Sequence, residues 1–302
     1  MFIDQGHPVQ KILCYAGVAS STWYKRQSPP KENPGRSKRG KPRPESKKVT
    51  GETVTELEIM TNLKTLRETE YCEKLGYRKL TRFLQRDFQL IINHKKVYRL
   101  YKEAGLTLSK KKKSKRRGKK VCENRKVTGP NQLWQFDIKY GYIAGENRFF
   151  FLMGLIDTFN RELKGYHIGL KCTAKDIVFA LEMAIKKHGV NSADLVIRSD
   201  NGTQMTSHVF EKEVKKLGLE HEFTPPATPN MNAYIESFFS IVDRELFQNR
   251  DYDSYSEAYG DVVAFIKFYN EKRPHSSLKM QSPLEFTNSL EKDRKIEPEL
   301  VA

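Results

Sequence analysis

The sequence has few of the features that mark secreted, zinc-binding or membrane proteins. Among its 302 residues there are only four cysteines, namely Cys14, Cys72, Cys122 and Cys172. They are too far apart for a paired-cysteine zinc site, and the seven histidines do not cluster with them. No secretory leader precedes them, so we expect reduced thiols in a cytoplasmic protein. No apolar run is long enough to cross a membrane, and no membrane partner is expected.

Acidic residues are also in the minority, and the excess of basic residues is concentrated in two runs. The chain has 54 Lys and Arg against 37 Asp and Glu, a formal charge of +17. Residues 31–48 carry eight basic and two acidic residues, and residues 110–126 carry eleven and one. Concentrated positive charge favours a polyanionic partner, because each Lys or Arg near a phosphate releases counterions. For the first run, which contains Pro and Gly, a solvated linker is an equally good interpretation.

Two acids are placed by strong local signals in the second half of the chain. Residues 195–200 read as a short apolar strand that ends in Asp200, and Asn201-Gly202 signals a turn. The prolines between 225 and 229 interrupt any strand or helix. Asn232 is then predicted to cap a helix that carries Glu236 in its first turns.

A third acid, Asp137, lies upstream in a predicted strand. Trp134, Phe136, Ile138 and Tyr140 alternate onto one face of that strand and leave Asp137 on the other. The sequence therefore predicts two strand aspartates and one helix glutamate, with thirty-five residues between Asp200 and Glu236.

This pattern resembles the catalytic acids of the DDE transposases and retroviral-type integrases. Residues 199–204 (Ser-Asp-Asn-Gly-Thr-Gln), 232–239 (Asn-Ala-Tyr-Ile-Glu-Ser-Phe-Phe) and 268–278, with Arg273-Pro274-His275, are similar to bacterial insertion-sequence transposases. The closest resemblance is to the downstream-frame product of insertion-sequence family three, and it extends from about residue 9 to residue 286. The zinc-binding amino-terminal domain of retroviral integrases has no counterpart in the histidine pattern.

The resemblance implies an α/β fold, with a ribonuclease-H-like mixed five-stranded sheet and flanking helices behind small all-helical, helix-turn-helix DNA-binding modules. The first and fourth strands of such a sheet are adjacent, which would bring Asp137 and Asp200 together beside the Glu236 helix. The expected organisation is a short helical segment at 1–30, either a helix-turn-helix or a simple helix pair; a basic linker at 31–50; a helix-turn-helix domain at 51–106; a second basic linker at 107–128; the DDE catalytic domain at 129–290; and a tail at 291–302.

The implied function is that of a DNA transposase which binds the ends of a mobile element and catalyses strand cleavage and strand transfer. Asp137, Asp200 and Glu236 would be both the catalytic residues and the metal ligands. Carboxylate oxygens without Cys or His favour Mg²⁺, with Mn²⁺ as a substitute, and two ions per site suit in-line displacement at phosphorus. Expected partners are double-stranded DNA, as element ends and as target, further copies of the chain on DNA, and an upstream-frame protein. The protein is expected in the bacterial cytoplasm, associated with the nucleoid.

DNA contacts are predicted on a helix and on a charged arm. The helix after Asn93 places three basic residues, Lys95, Lys96 and Arg99, off its apolar face, as in a reading helix; the alternative is a packing module with a solvated basic face. The arm consists of Lys110, Lys111, Lys112, Lys113, Lys115, Arg116, Arg117, Lys119 and Lys120, which would follow the DNA backbone. Arg273 and His275 either contact DNA or tie their loop to the domain, and the second role is favoured.

One position departs from the family pattern. Many members carry Lys or Arg seven residues after the catalytic glutamate, where this chain has Asp243, followed by Arg244. Either Arg244 takes over the DNA contact, or this branch does without it, or the copy is weakened. The alternative function is therefore a DNA-binding regulator or partial transposase subunit with weak or no catalysis.

Overall fold

A computed structural model describes residues 8–16, 19–20, 23–24, 44–108, 125–224 and 229–296. The chain divides into two compact units, Met1–Pro44 and Glu45–Ala302. In the first unit, helix α1 (Val9–Tyr15) lies within the predicted amino-terminal helical segment. The predicted second helix of that segment and the arm at 110–120 fall wholly or largely outside the described residues.

The second unit begins with a small module of three helices and three short strands. In chain order these are β1 (Glu45–Lys48), β2 (Thr53–Thr55), α2 (Glu56–Glu68), α3 (Tyr77–Arg86), β3 (Leu90–Ile91) and α4 (His94–Glu103). The strands form an antiparallel sheet in the order β2-β1-β3. The Asn93 side chain accepts the backbone N–H of Lys95 and caps α4, as predicted.

The sheet corrects the expectation of an all-helical module, and β1 lies inside the residues assigned to the first basic linker. Ser46 is buried within the charged sequence of β1. The pairing of Lys47 with Ile91 joins residues far apart in the chain, and local composition does not reveal such a partner. In α2, Ile59, Leu63 and Leu66 are buried, whereas Leu57 is exposed.

A mixed five-stranded sheet forms the centre of the second half of the chain. Its strands are β4 (Leu133–Ile143), β5 (Arg148–Asp157), β6 (Leu163–Gly169), β7 (Val196–Ser199) and β8 (Glu220–Phe223). They lie in the order β6-β5-β4-β7-β8, with β4, β5 and β6 antiparallel and β7 and β8 parallel to β4. The predicted mixed sheet and the adjacency of its first and fourth strands are confirmed.

Helices cover both faces of this sheet. Helices α5 (Ala174–His188) and α6 (His208–Lys216) pack on the face that carries Trp134 and Phe136. Helices α7 (Ala233–Glu245) and α8 (Tyr255–Glu271) cover the other face. A last helix, α9 (Pro283–Ile296), continues past the predicted domain end at 290 into the predicted tail. Because strand side chains alternate, neighbouring residues of β4 enter two different cores.

The small module and the sheet domain share one hydrophobic core, although the sequence predicts a linker between them. The Tyr71 ring lies 5.3 Å from the rings of Phe265 and Phe268 in α8. Its hydroxyl donates to Asp261 at 2.7 Å. On the same boundary Arg86 pairs with Glu285 at 3.2 Å. These contacts fix the position of the module relative to α8 and α9.

The length and polarity of the helices and the state of the cysteines can be compared with the sequence. Within the described ranges, no helix is both long and apolar enough to cross a bilayer. Cys14, Cys72 and Cys172 are free thiols. Burial raises the pKa of both Cys72 and Cys172 to about 12, which keeps these two thiols protonated and unreactive at neutral pH.

Candidate active site

Strands β4 and β7 bring the two aspartates to the same place. The parallel ladder pairs Leu133 with Val196 and Gln135 with Arg198. Continued two residues further, the same register sets Asp137 opposite Asp200, which directly follows β7. Neighbouring strands lie about 4.8 Å apart, so the two carboxylates share one end of the sheet.

Helix α7 is docked against β4 by a buried glutamine. The Gln135 Oε1 accepts the backbone N–H groups of Tyr234 at 3.0 Å and Ile235 at 3.3 Å, and its Nε2 donates to the Met231 carbonyl at 2.7 Å. Gln135 is 2% exposed. It therefore caps the first turn of α7 from the strand that carries Asp137, and Glu236 is held above that strand.

The prediction that the Asn232 side chain caps α7 is wrong. Asn232 stands at the N-cap position but makes no capping bond with its side chain. It is buried against β4 and donates to the Phe136 carbonyl at 3.3 Å. The sequence correctly predicted the position of the N-cap. The Asn232 side chain, however, hydrogen-bonds to β4 instead of to the first turn of α7.

A glycine lets α7 approach the sheet closely. Gly154 is paired with Asp137 across β4 and β5. A Cβ at this position would come within 3.2 Å of the Leu163 side chain and 3.3 Å of the Ile235 side chain. The absent side chain leaves room for the buried face of α7, while Glu236 stays on the exposed side.

Electrostatics at the site favour an added cation. Burial raises the pKa of Asp137 to about 6, and repulsion from Asp200 and Glu236 adds to the rise. The backbone N–H of Ile138 and the Lys139 ammonium act in the opposite direction. Burial also raises the pKa of Glu236. Asp137 is thus partly desolvated and repelled by Asp200 and Glu236, and a positive ion beside it would relieve that repulsion.

The donor set fits a hard divalent cation, although the side chains are not already arranged around one. Within the described ranges, no three His, Cys, Asp or Glu side chains are grouped closely enough to hold a metal. Asp137 Oδ1 accepts the backbone N–H of Ile138 at 2.7 Å, and Asp200 Oδ1 accepts that of Gly202 at 3.0 Å. Asp200 and Glu236 are exposed, so their side chains are accessible to a cation from solvent.

The residue that departs from the family pattern is paired. Lys139 Nζ donates to Asp243 Oδ2 at 2.6 Å. Lys139 lies two residues after Asp137 on the same face of β4, and Asp243 lies two helical turns after Glu236. Arg244, predicted as one possible substitute DNA contact, donates to Glu245 at 2.9 Å, and its side chain is 42% exposed. The positively charged side chain beside Asp137 is therefore Lys139 of strand β4.

Glu245, at the end of α7, is the centre of a buried ion-pair cluster. Arg273 donates to both of its oxygens, at 2.6 Å and 2.8 Å. Although burial alone raises it, the pKa of Glu245 is lowered to about 2 by Arg273 and the neighbouring cations. Arg273 is 2% exposed and His275 is buried against Tyr269. Both residues tie the loop to the domain, which agrees with the favoured sequence interpretation.

The predicted DNA-contacting residues of α4 differ in their surroundings. Arg99 pairs with Glu56 and, at 3.1 Å, with Glu103. Lys96 donates to the Glu45 carbonyl at 2.9 Å and pairs with Glu56 at 3.4 Å. Lys95 is exposed. Lys96 and Arg99 thus stabilise the module internally, and Lys95 is the member of the set that faces solvent.

Sequence reasoning missed the structural partners of the acids. Gln135, Lys139 and Glu245 were not singled out, yet each fixes the strand or the helix that carries a predicted ligand. A signal was present for two of them, because Gln135, Asp137 and Lys139 alternate as polar residues on one face of a strand whose other face is apolar. No local pattern identifies Glu245, since its partner Arg273 lies 28 residues away.

Comparison with known families agrees with this geometry. Residues 127–229 and 217–283 match two models, each described as an integrase core domain, and residues 56–114 match an HTH-like domain. The two integrase models together run from residue 127 to residue 283, more than half of the 302 residues. Residues 127–283 are therefore similar to integrase core domains, and their sheet and helices form the ribonuclease-H-like fold.

Several curated relatives come from insertion elements. The chain is 33% identical over 216 residues to the uncharacterized 39.2 kDa protein of insertion element IS476 from Xanthomonas euvesicatoria, covering 70% of the chain and 60% of that protein. It is 29% identical over 224 residues to the putative transposase InsK of IS150 from Escherichia coli, covering 71% and 78%. The match thus spans about 60% of the length of the Xanthomonas relative.

Among solved structures, the chain is similar to one in the cryo-EM structure of a simian T-cell lymphotropic virus intasome in complex with PP2A regulatory subunit B56 gamma. The sequence identity is 17%, the coverage is 70% of each chain and the TM-score is 0.46.

Proposed function

We propose that this protein is a DNA transposase that binds the ends of a mobile element and catalyses metal-dependent strand cleavage and strand transfer. The observation that carries the proposal is the meeting of β4, β7 and α7, which gathers Asp137, Asp200 and Glu236 at one end of the sheet. The relatives named as insertion-element transposases support the same activity.

The three acids are the ligands proposed for Mg²⁺, with Mn²⁺ as a substitute and two ions per site. When bound, such ions activate a water or a DNA 3′-hydroxyl and stabilise the leaving oxygen. The chain itself supplies the positioning. Gln135 fixes α7 on β4, and burial together with repulsion from Asp200 and Glu236 raises the pKa of Asp137 to about 6, which supports a cation bound beside this carboxylate.

Partners and location follow from the proposed activity. The HTH-like domain is proposed to bind the element ends, further copies of the chain are proposed to assemble on DNA, and target DNA is the second substrate. A site of action in the bacterial cytoplasm, at the nucleoid, is part of the same proposal. The upstream-frame protein stays a prediction from the resemblance.

The feature that favoured a catalytically weak regulator was Asp243, and its pairing with Lys139 weakens that alternative. Asp243 suggested a carboxylate that repels DNA, but it is paired with Lys139 at 2.6 Å. The paired carboxylate contributes little net negative charge at the site. The docking of α7 by Gln135 and the Lys139 cation beside Asp137 support the active enzyme over this alternative.

The test is strand cleavage and joining by the purified protein on labelled duplexes that carry the ends of its element. With Mg²⁺, the parent should cleave, and Asp137→Asn, Asp200→Asn and Glu236→Gln should each abolish both steps while still binding the duplex. A chelator should have the same effect on the parent. Cleavage by any of the three variants would remove that residue from the proposed site, and a parent that binds but never cleaves would refute the proposed activity.

A further inference from the structure

We propose that Lys139 is the residue through which this protein holds a DNA backbone phosphate beside its catalytic acids, and that Asp243 is the positioning residue for Lys139. This inference rests on the proposed function and assigns the phosphate contact to a strand lysine rather than to a residue of helix α7. It follows from where the pair lies, from the local charge and from its exposure.

The pair lies at the second of two points where α7 is fastened to β4. Gln135 holds the start of the helix through Tyr234 and Ile235, and Lys139 holds its last turn through Asp243. Four strand residues span about 13 Å, and the eight helix residues from 235 to 243 span about 12 Å. The matched lengths let strand and helix run side by side, with Asp137 and Glu236 between the two fastenings.

The three carboxylates near Lys139 make the site negatively charged, and a cation at this place would favour the approach of DNA. DNA brings phosphates to a site that already has three carboxylates, and like charges oppose that approach. Lys139 offsets part of the repulsion at Asp137, two residues away on the same face of β4. Arg244 is directed to Glu245 in the buried cluster and does not supply this charge.

The exposure of the pair argues against a purely structural role. The Lys139 and Asp243 side chains are 30% and 35% exposed, so the pair is open to a ligand. An ion pair this exposed contributes little to folding. An ammonium has three N–H donors, so Lys139 can keep its bond to Asp243 and donate another to a phosphate oxygen. Asp243 restricts the flexible lysine stem to the position where that contact is made.

Salt-dependent DNA binding without divalent metal tests the contact independently of catalysis. The variants are Lys139→Ala, Lys139→Arg and Asp243→Asn, each checked by thermal unfolding and measured on a random-sequence duplex. The matched control is Lys216→Ala, which removes one charge from α6, on the opposite face of the sheet, where Lys216 pairs with Glu213. Losing one phosphate contact should reduce the slope of log K against log salt by about 0.9 in Lys139→Ala.

The slope should stay at the parent value in Lys139→Arg, Asp243→Asn and Lys216→Ala, since the first two keep a cation at the site. Strand joining with Mg²⁺ should fall about tenfold in Asp243→Asn, because a reacting phosphate is sensitive to small misplacements. An unchanged slope in Lys139→Ala, or an equal loss in Lys216→Ala, would overturn the assignment. If the parent cleaves nothing, the proposed function fails, and the metal-free slopes still decide the role of Lys139.

Discussion

Lys79 of α3 and Glu245 of α7 face each other across the boundary between the small module and the sheet domain, with 3.8 Å between Nζ and Oε1. Glu245 lies nine residues after Glu236 on the same helix and is 4% exposed. The helix that carries the candidate ligand is therefore held by Gln135 at its start and by a cross-domain ion-pair cluster at its end. The module predicted to bind DNA contacts the catalytic helix directly.

We predict that Glu245→Gln strongly destabilises the protein. Glu245 is the acid shared by Arg273, Arg244 and Lys79, and its loss leaves buried Arg273 without a counter-charge. Breaking a buried pair in this way costs about 3–5 kcal/mol of unfolding free energy. Denaturant unfolding at neutral pH measures the loss. Because the folded pKa, about 2, is below the ordinary value of 4.5, the parent should lose this contribution as pH falls from about 4.5 towards 2.

Lys79→Met provides the contrasting case in the same cluster. Burial, and then repulsion from Arg273, lowers the pKa of Lys79 to about 7. A lysine with a lowered folded pKa opposes folding below its ordinary pKa, so the parent should gain stability as pH rises from about 7 to 10. Lys79→Met should therefore be neutral or stabilising at pH 7 and should weaken that pH dependence. A loss as large as that of Glu245→Gln would show that the Lys79 charge is needed.

The docking of α7 by Gln135 predicts a catalytic defect that exceeds any defect in DNA binding. Gln135→Leu leaves the N–H groups of Tyr234 and Ile235 without their acceptor, at about 1–3 kcal/mol for each buried group left unpaired. The freed helix start shifts Glu236, so strand cleavage should fall by about tenfold or more while duplex affinity changes little. Gln248→Leu, at an exposed position, is the control. Equal cleavage by both variants would show that α7 is fixed by other contacts.

The raised pKa of Asp137 predicts that the catalytic carboxylate reduces stability in the absence of metal. Its folded pKa, about 6, exceeds the ordinary 3.8, so the ionised group opposes folding increasingly as pH rises from about 4 to 6. Asp137→Asn should raise the unfolding free energy by about 1–3 kcal/mol at pH 7, with the gain vanishing near pH 4. Thermal unfolding with chelator measures this. Added Mg²⁺ or Mn²⁺ should stabilise the parent and not the variant; a parent insensitive to both ions would contradict the proposed ligand set.

The surroundings of α4 divide its basic residues into two groups with different expected effects. Lys95 is exposed, so Lys95→Ala should weaken duplex binding and leave the melting temperature unchanged. Arg99 pairs with Glu56 and Glu103, so Arg99→Ala should lower the melting temperature and affect binding to element ends and random duplexes alike. A selective loss of end binding in Arg99→Ala would restore Arg99 as a base-reading residue.

The sequence by itself predicted the strands that carry Asp137 and Asp200 and the helix that carries Glu236, and the family resemblance implied the fold class. Alternation along β4, the turn after Asp200 and the helix around Glu236 are local patterns, and they depend only on neighbouring residues. The resemblance then supplied the sheet order, which the structure confirms. The Asn93 cap was predictable for the same reason, because a cap bonds within its own turn.

Tertiary structure alone decided what supports the acids. The partners of Gln135 and Lys139, and the Arg273 partner of Glu245, lie 28 to 104 residues away in the chain, and no local pattern specifies which distant group a polar side chain will meet. It also decided that β1 pairs within the small module, that Asn232 faces β4 and that Asp243 is neutralised. Backbone periodicity is a property of neighbouring residues, whereas charge pairing and buried hydrogen bonds depend on the packing of whole elements.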